Sequence, residues 1–134
     1  MSHAMPVARR ITAPRTTMVL IEILAFEVLV QAALAGGFLG GYDVWKSWHG
    51  NLGDFLALLP LASLVLGLAL RHRQPESVTM LVSRFILLIM VFVVVATGHE
   101  AGALLAAHIP AAVATVGILV RQAATITRAR EVQR

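Results

Sequence analysis

Residues 78–98 read VTMLVSRFILLIMVFVVVATG, and this stretch decides the fold. It carries one charge, Arg84, in an otherwise nearly unbroken apolar run. A helix rising 1.5 Å per residue needs about 20 such residues to cross a hydrocarbon core about 30 Å thick. Three more runs of that kind lie on either side. Residues 17–40 are interrupted only by Glu22, Glu27 and Gln31, residues 52–70 end at Arg71-His72-Arg73, and residues 102–126 follow a very short turn around His99 and Glu100. Backbone amides find no water partner in hydrocarbon, so each run is expected to be a helix. Barrel strands would alternate over about 10 residues, whereas these runs are apolar all round.

The composition agrees. Of 134 residues, 58% are hydrophobic and 13% charged, against about 25% charged in soluble domains. Disorder, a coiled coil and a nucleic-acid module are therefore poor fits, and the net charge of +4 reads as a topology signal. Cysteine is absent, which removes disulfides, thiolate metal sites and iron–sulfur clusters. The Gly-rich GGYDVWK (40–46) with SWHGN (47–51) reads as the first loop, and RHRQPES (71–77), containing Pro75, as the second. The expected architecture is all-α: one domain over residues 1–134, an integral membrane four-helix bundle running up-down-up-down.

Ten of the eleven basic residues precede the first span, surround the second loop or follow the fourth span; only Lys46 lies opposite, with Asp43, Asp54 and Glu100. This bias places both termini in the cytoplasm and the chain in the cytoplasmic (plasma) membrane. The first span, after Arg9, Arg10 and Arg15, reads as a retained helix and not a removed signal. Tyr42, Trp45 and Trp48 fit an interfacial aromatic belt. Gly36, Gly37, Gly40, Gly41, Gly98 and Gly102 permit close helix approach.

Charge inside hydrocarbon costs about 2.5–3.5 kcal/mol on insertion scales, so each case needs a reason. Glu22 and Arg84 sit at similar depth and would pair; alternatively Arg84 snorkels and Glu22 is protonated. Glu27, with Gln31 at i+4, lies level with Ser63 and Thr115, which suits a hydrogen-bonded polar layer or a proton relay.

His3 and His72 read as solvated. His49, His99 and His108 all fall toward the outer side, and His108 is set inside the apolar LLAAHIPAAVA. Two histidines on facing helices can hold a haem iron if their heights match. His49 lies about 33 Å of helix from Arg71, and His108 about 30 Å from Arg128, provided the fourth helix continues past Arg121. If it stops there, His99 becomes the alternative partner.

The set Gln31-Ala-Ala-Leu-Ala-Gly36, His49 with Gly53, and His108-Ile-Pro110 resembles a four-helix half of the haem A synthase family and of related small four-helix membrane proteins. The resemblance spans roughly Gln31 to Gly117. It implies that His49 and His108 are axial ligands of a haem b, with Gln31 at the cofactor. Two positions depart from the family pattern: Lys46 stands where those synthases have a glutamate, and Gly50 where they have an arginine. The resemblance therefore implies haem binding without hydroxylating activity, and a homodimer would recreate the two-half arrangement.

The leading expectation is a membrane haem-b protein serving electron transfer or haem holding, with Lys46 and Asn51 near the propionates. A structural subunit of a larger membrane complex is the alternative. A third class is metal handling by His49, His99 and Glu100 with Asp54. A transporter is disfavoured, because no pair of interrupted helices marks a midplane site.

Overall fold

A computed structural model describes residues 15–71, 77–99 and 103–131. His3, Arg9, Arg10, His72, Arg73, Pro75, Glu100, Gly102 and Arg134 lie outside the described residues. Five helical segments build the four spans: α1 (Arg15–Leu39), α2 (Asp43–Leu56), α3 (Leu58–Leu70), α4 (Val78–His99) and α5 (Ala103–Glu131). Helices α2 and α3 together form the second span, and no strand occurs among the described residues.

Burial follows a stripe with alternating steps of three and four residues. On α1 it includes Thr17, Ile21, Leu24 and Gln31; on α2 and α3, Leu56, Pro60, Ser63 and Gly67; on α4, Arg84, Leu87, Val91 and Val94; on α5, Ala111, Thr115, Leu119, Gln122 and Ile126. Such a 3.5-residue repeat keeps one seam of each helix facing its neighbours in a four-helix bundle. Among the described residues, α1 and α4 each pack against the second and fourth spans, while the backbones of α2 and α3 do not come close to that of α5. The second and fourth spans are thus diagonal partners across the bundle axis.

The outward faces are strongly apolar: Phe26, Leu29, Phe92 and Val113 are exposed, while Arg84 is 1% and Gln122 2% exposed. In water that distribution would be inverted. In a bilayer it is the stable one, and all four spans are long and apolar enough to cross. The protein is a membrane four-helix bundle.

The first loop is far shorter than the sequence indicates. α1 ends in a Schellman turn, with Gly41 N–H donating to Phe38 O at 2.9 Å and Tyr42 N–H to Gly37 O at 3.3 Å. That turn requires Gly41 at φ +95°, so Gly41→Ala is expected to cost about 1–2 kcal/mol in unfolding titrations. The chain then re-enters helix at Asp43, nine residues before the expected start at Leu52. A carboxylate suits that first turn, since it faces the positive end of the helix dipole. Residues 43–51 read as loop because they are polar and Gly-containing, but the Trp45 ring lies where a side chain at Gly37 would be, locking α2 onto α1. Further down, the second span breaks at Ala57. Pro60 explains this: it has no N–H for the Leu56 carbonyl, and its ring crowds that same carbonyl. The burial stripe continues in phase across the break.

The intramembrane polar residues pair differently from expectation. The Arg84 guanidinium donates to Ser63 O, to Ser63 Oγ at 3.0 Å and to Thr17 Oγ1 at 3.0 Å, tying α4 to α3 and α1. Glu22, one residue past buried Ile21, is rotated about 100° off the stripe and lies exposed, away from those partners. The polar layer also resolves into separate partnerships. Ser63 serves Arg84, Thr115 Oγ1 donates to Ala111 O on its own helix at 2.9 Å, Gln31 turns to α2, and Glu27 is half-exposed beside the stripe.

Candidate functional site

α5 runs past Arg121 to Glu131, which meets the condition for matched histidine heights. His49 and His108 do converge: their ring centroids are 6.1 Å apart and their planes cross at 77°. They approach from the diagonal spans, and α1 and α4 wall the space on either side.

The two imidazoles are held in parallel ways. His108 Nδ1–H donates to the backbone carbonyl of Val94 at 2.8 Å, and His49 Nδ1–H to that of Gln31 at 3.1 Å. Each histidine on a descending span thus uses a carbonyl of the span before it. A carbonyl can only accept, so in each of these bonds the proton is on Nδ1 and Nε2 keeps its lone pair, the form a ligating imidazole needs. Orienting a ligating histidine through its second nitrogen is the usual support for a metal-binding imidazole.

Small residues make this approach possible. A Cβ on Gly98 would stand 2.9 Å from His108 Cε1 and 3.1 Å from its Nδ1, so the ring beds directly on the α4 backbone. Gly98→Val is expected to push the ring off the Val94 carbonyl and weaken metal or cofactor binding by about 10–100-fold, the usual effect of losing such support. A binding titration of the purified variant checks this.

Gln31 is 8% exposed and reaches over α2. With its amide oxygen accepting from Gly53 N–H at 2.7 Å, its nitrogen lies 3.1 Å from His49 O and 2.7 Å from His49 Nδ1. His49 therefore has a partner in either tautomer: the Gln31 carbonyl when Nδ1 is protonated, the Gln31 amide when Nε2 is. A ligand at Nε2 selects the first. Gln31→Leu removes the competing donor, and the expected result is a His49 ring fixed as Nδ1–H, read from the nitrogen chemical shifts of its imidazole.

Both rings line a cavity of about 350 Å³, walled by Val28, Ala32 and Ala35 from α1, Gly53 and Leu56 from α2, Val94 and Val95 from α4, and Ala112 and Val116 from α5. The walls are apolar apart from a few groups, among them the two imidazoles in ring contact. Two imidazoles gripping one metal atom from opposite sides have ring centres about 6 Å apart, given metal–nitrogen bonds of about 2 Å. The observed spacing meets that requirement.

His99 does not join them. Its Nδ1 donates to Val95 O at 2.8 Å and its Nε2 lies 3.2 Å from Asp54 Oδ1, so both nitrogens are engaged at the exposed rim. Among the described residues no three His, Asp or Glu side chains converge as a metal site, so His49, His99 and Asp54 do not form one. Lys46 and Asn51 lie exposed on α2, Asn51 beside a separate surface hollow with Trp48 and Phe55. Of the residues singled out in the sequence, His49, His108 and Gln31 are the ones brought together. Sequence reasoning missed the two carbonyl acceptors, which no side-chain identity encodes. No family model, curated protein or solved structure matches this chain, so what it does must be read from this geometry.

Proposed function

We propose that the protein binds haem b between His49 and His108 and uses it for electron transfer or holds it for a partner. One observation carries the reading: two imidazoles on diagonal spans, 6.1 Å apart at an apolar cavity that both line, each with Nδ1 on a backbone carbonyl. The resemblance of the His49 and His108 segments to the haem A synthase family supports it. Bound there, held by His49 and His108, the group would supply a one-electron couple suited to electron transfer.

The chain's own residues have defined tasks. His49 and His108 ligate, Gln31 and Val94 orient them through their carbonyls, and Gly98 gives His108 its bed. Val28, Leu56 and Val95 keep water away, which governs the potential of any redox group held there. The arginine-rich ends of the spans would face the cytoplasm, placing the cavity toward the outer leaflet of the plasma membrane.

Absorption spectroscopy of protein purified from haem-replete cells tests this. A Soret band that shifts and sharpens on dithionite reduction, at one haem per chain, is expected. A colourless preparation that takes up no haem on titration would overturn the proposal. It would favour the accessory-subunit role, for which co-purification with a larger assembly, indifferent to loss of either histidine, is the positive sign.

A further inference from the structure

We infer that the histidine cavity is filled and emptied sideways, from within the bilayer, through a gap between α1 and α5. The identity of the passing ligand, a flat apolar macrocycle, rests on the haem proposal; the gap rests on packing alone. Deep in the cavity, Leu56 of α2 and Val94 of α4 are buried and Gly53 and Val95 half-buried, and on α4 the exposed lining residues, Gly98 and His99, come only at its outer end. On the other side Ala32 of α1 and Ile109 and Val113 of α5 line the same cavity yet are exposed outward, Ile109 by 68% and Val113 by 67%. A residue can do both only at the edge of an opening.

That edge carries no polar side chain and lies within the spans of α1 and α5, so it opens onto acyl chains and not onto water. α1 also packs more sparsely on α5 than α4 does. The small side chains of Ala32, Ala35 and Ala112 leave the passage clear. The route toward the aqueous rim is obstructed by contrast. There the His99–Asp54 pair bridges α4 and α2 at 3.2 Å, and the Trp45 ring fills the space over Gly37 between α1 and α2. An apolar ring passing that way would have to displace this polar pair from its solvent.

Two measurements on the full chain in lipid nanodiscs test the gap. In the first, haem moves from phosphatidylcholine vesicles into the protein, and later out to a water-soluble haem acceptor. Ala32→Trp and Val113→Trp should slow both directions by at least about ten-fold, while Leu29→Trp, on the lipid face of α1, should slow neither. A blocked gap slows entry and exit together, whereas a damaged site speeds exit. Unchanged rates, or faster exit, would overturn the inference.

The second measurement does not depend on haem. The chain has no cysteine, so Ala35→Cys gives a single thiol for a nitroxide label. Its relaxation should respond to dissolved oxygen, which enters acyl chains, far more than to a water-soluble nickel chelate, and Val113→Trp should reduce the oxygen response. A nickel response equal to or above that of oxygen would show an aqueous mouth and overturn the inference. If no form of the protein takes up haem, the haem proposal fails and the label alone decides the gap.

Discussion

His108→Ala is expected to lower haem affinity by more than about 100-fold and to abolish the reduced, six-coordinate absorption spectrum. Losing the support of a ligand typically costs 10–100-fold, and here the ligand itself goes. His108 is the better held of the pair. Its ring beds on Gly98, its Nδ1 is fixed by Val94 O at 2.8 Å, and among the described residues nothing at that nitrogen competes for the other tautomer. His49, with the Gln31 amide beside its Nδ1, divides between two hydrogen-bonded forms until a ligand selects one. His49→Ala should therefore weaken binding somewhat less than His108→Ala. Added imidazole, entering the vacated position, should restore the six-coordinate spectrum in His108→Ala. Titration with haem, followed by reduced-minus-oxidised difference spectra, measures all three outcomes.

Arg84→Met is expected to destabilise the bundle by about 2–3 kcal/mol without removing haem binding, measured by unfolding in mixed micelles. The guanidinium is 1% exposed and bonds to Ser63 and Thr17, joining three spans at one level. Hydrogen bonds to a charged group contribute about 1.5–3 kcal/mol each, and the cost of burying the charge offsets part of that sum. Methionine fills similar volume, and the released hydroxyls can turn to carbonyls of their own helices. Lysine is a different case. It keeps the charge but presents a compact ammonium that cannot span Ser63 and Thr17 as a planar fork does. Arg84→Lys should accordingly be no more stable than Arg84→Met, which runs against the usual ranking of conservative changes.

The four spans were legible because apolar runs of bilayer length have one stable backbone solution. The start of α2 was not. Residues 43–51 look like a loop in composition, and they are helical because Gly41 ends α1 in so tight a turn that the chain must return at once. Pro60 was visible in the sequence, but its effect falls four residues earlier, at the Leu56 carbonyl. Depth along each helix was countable, and it brought His49 and His108 to one level, but it set Ser63 level with Glu27 where the structure bonds Ser63 to Arg84. Rotation about the axis was missed for Glu22, one residue, or about 100°, past buried Ile21. Matching by depth gave Arg84 the Glu22 carboxylate, whereas its described partners include the Ser63 and Thr17 hydroxyls and the Ser63 carbonyl. The Nδ1 acceptors of both histidines are backbone atoms, and their positions emerge only once the spans are packed.

The most direct test of the central claim is low-temperature EPR of the oxidised, haem-loaded protein. The imidazole planes cross at 77°, so each ring's π-donation would fall on a different iron d orbital and leave the two nearly degenerate. The expected result is a strongly anisotropic low-spin signal dominated by one large g value. A high-spin signal would mean that one histidine does not ligate. A conventional rhombic low-spin signal would mean that the two rings lie nearly parallel, and either result would contradict the assignment of His49 and His108, as placed here, to a single iron.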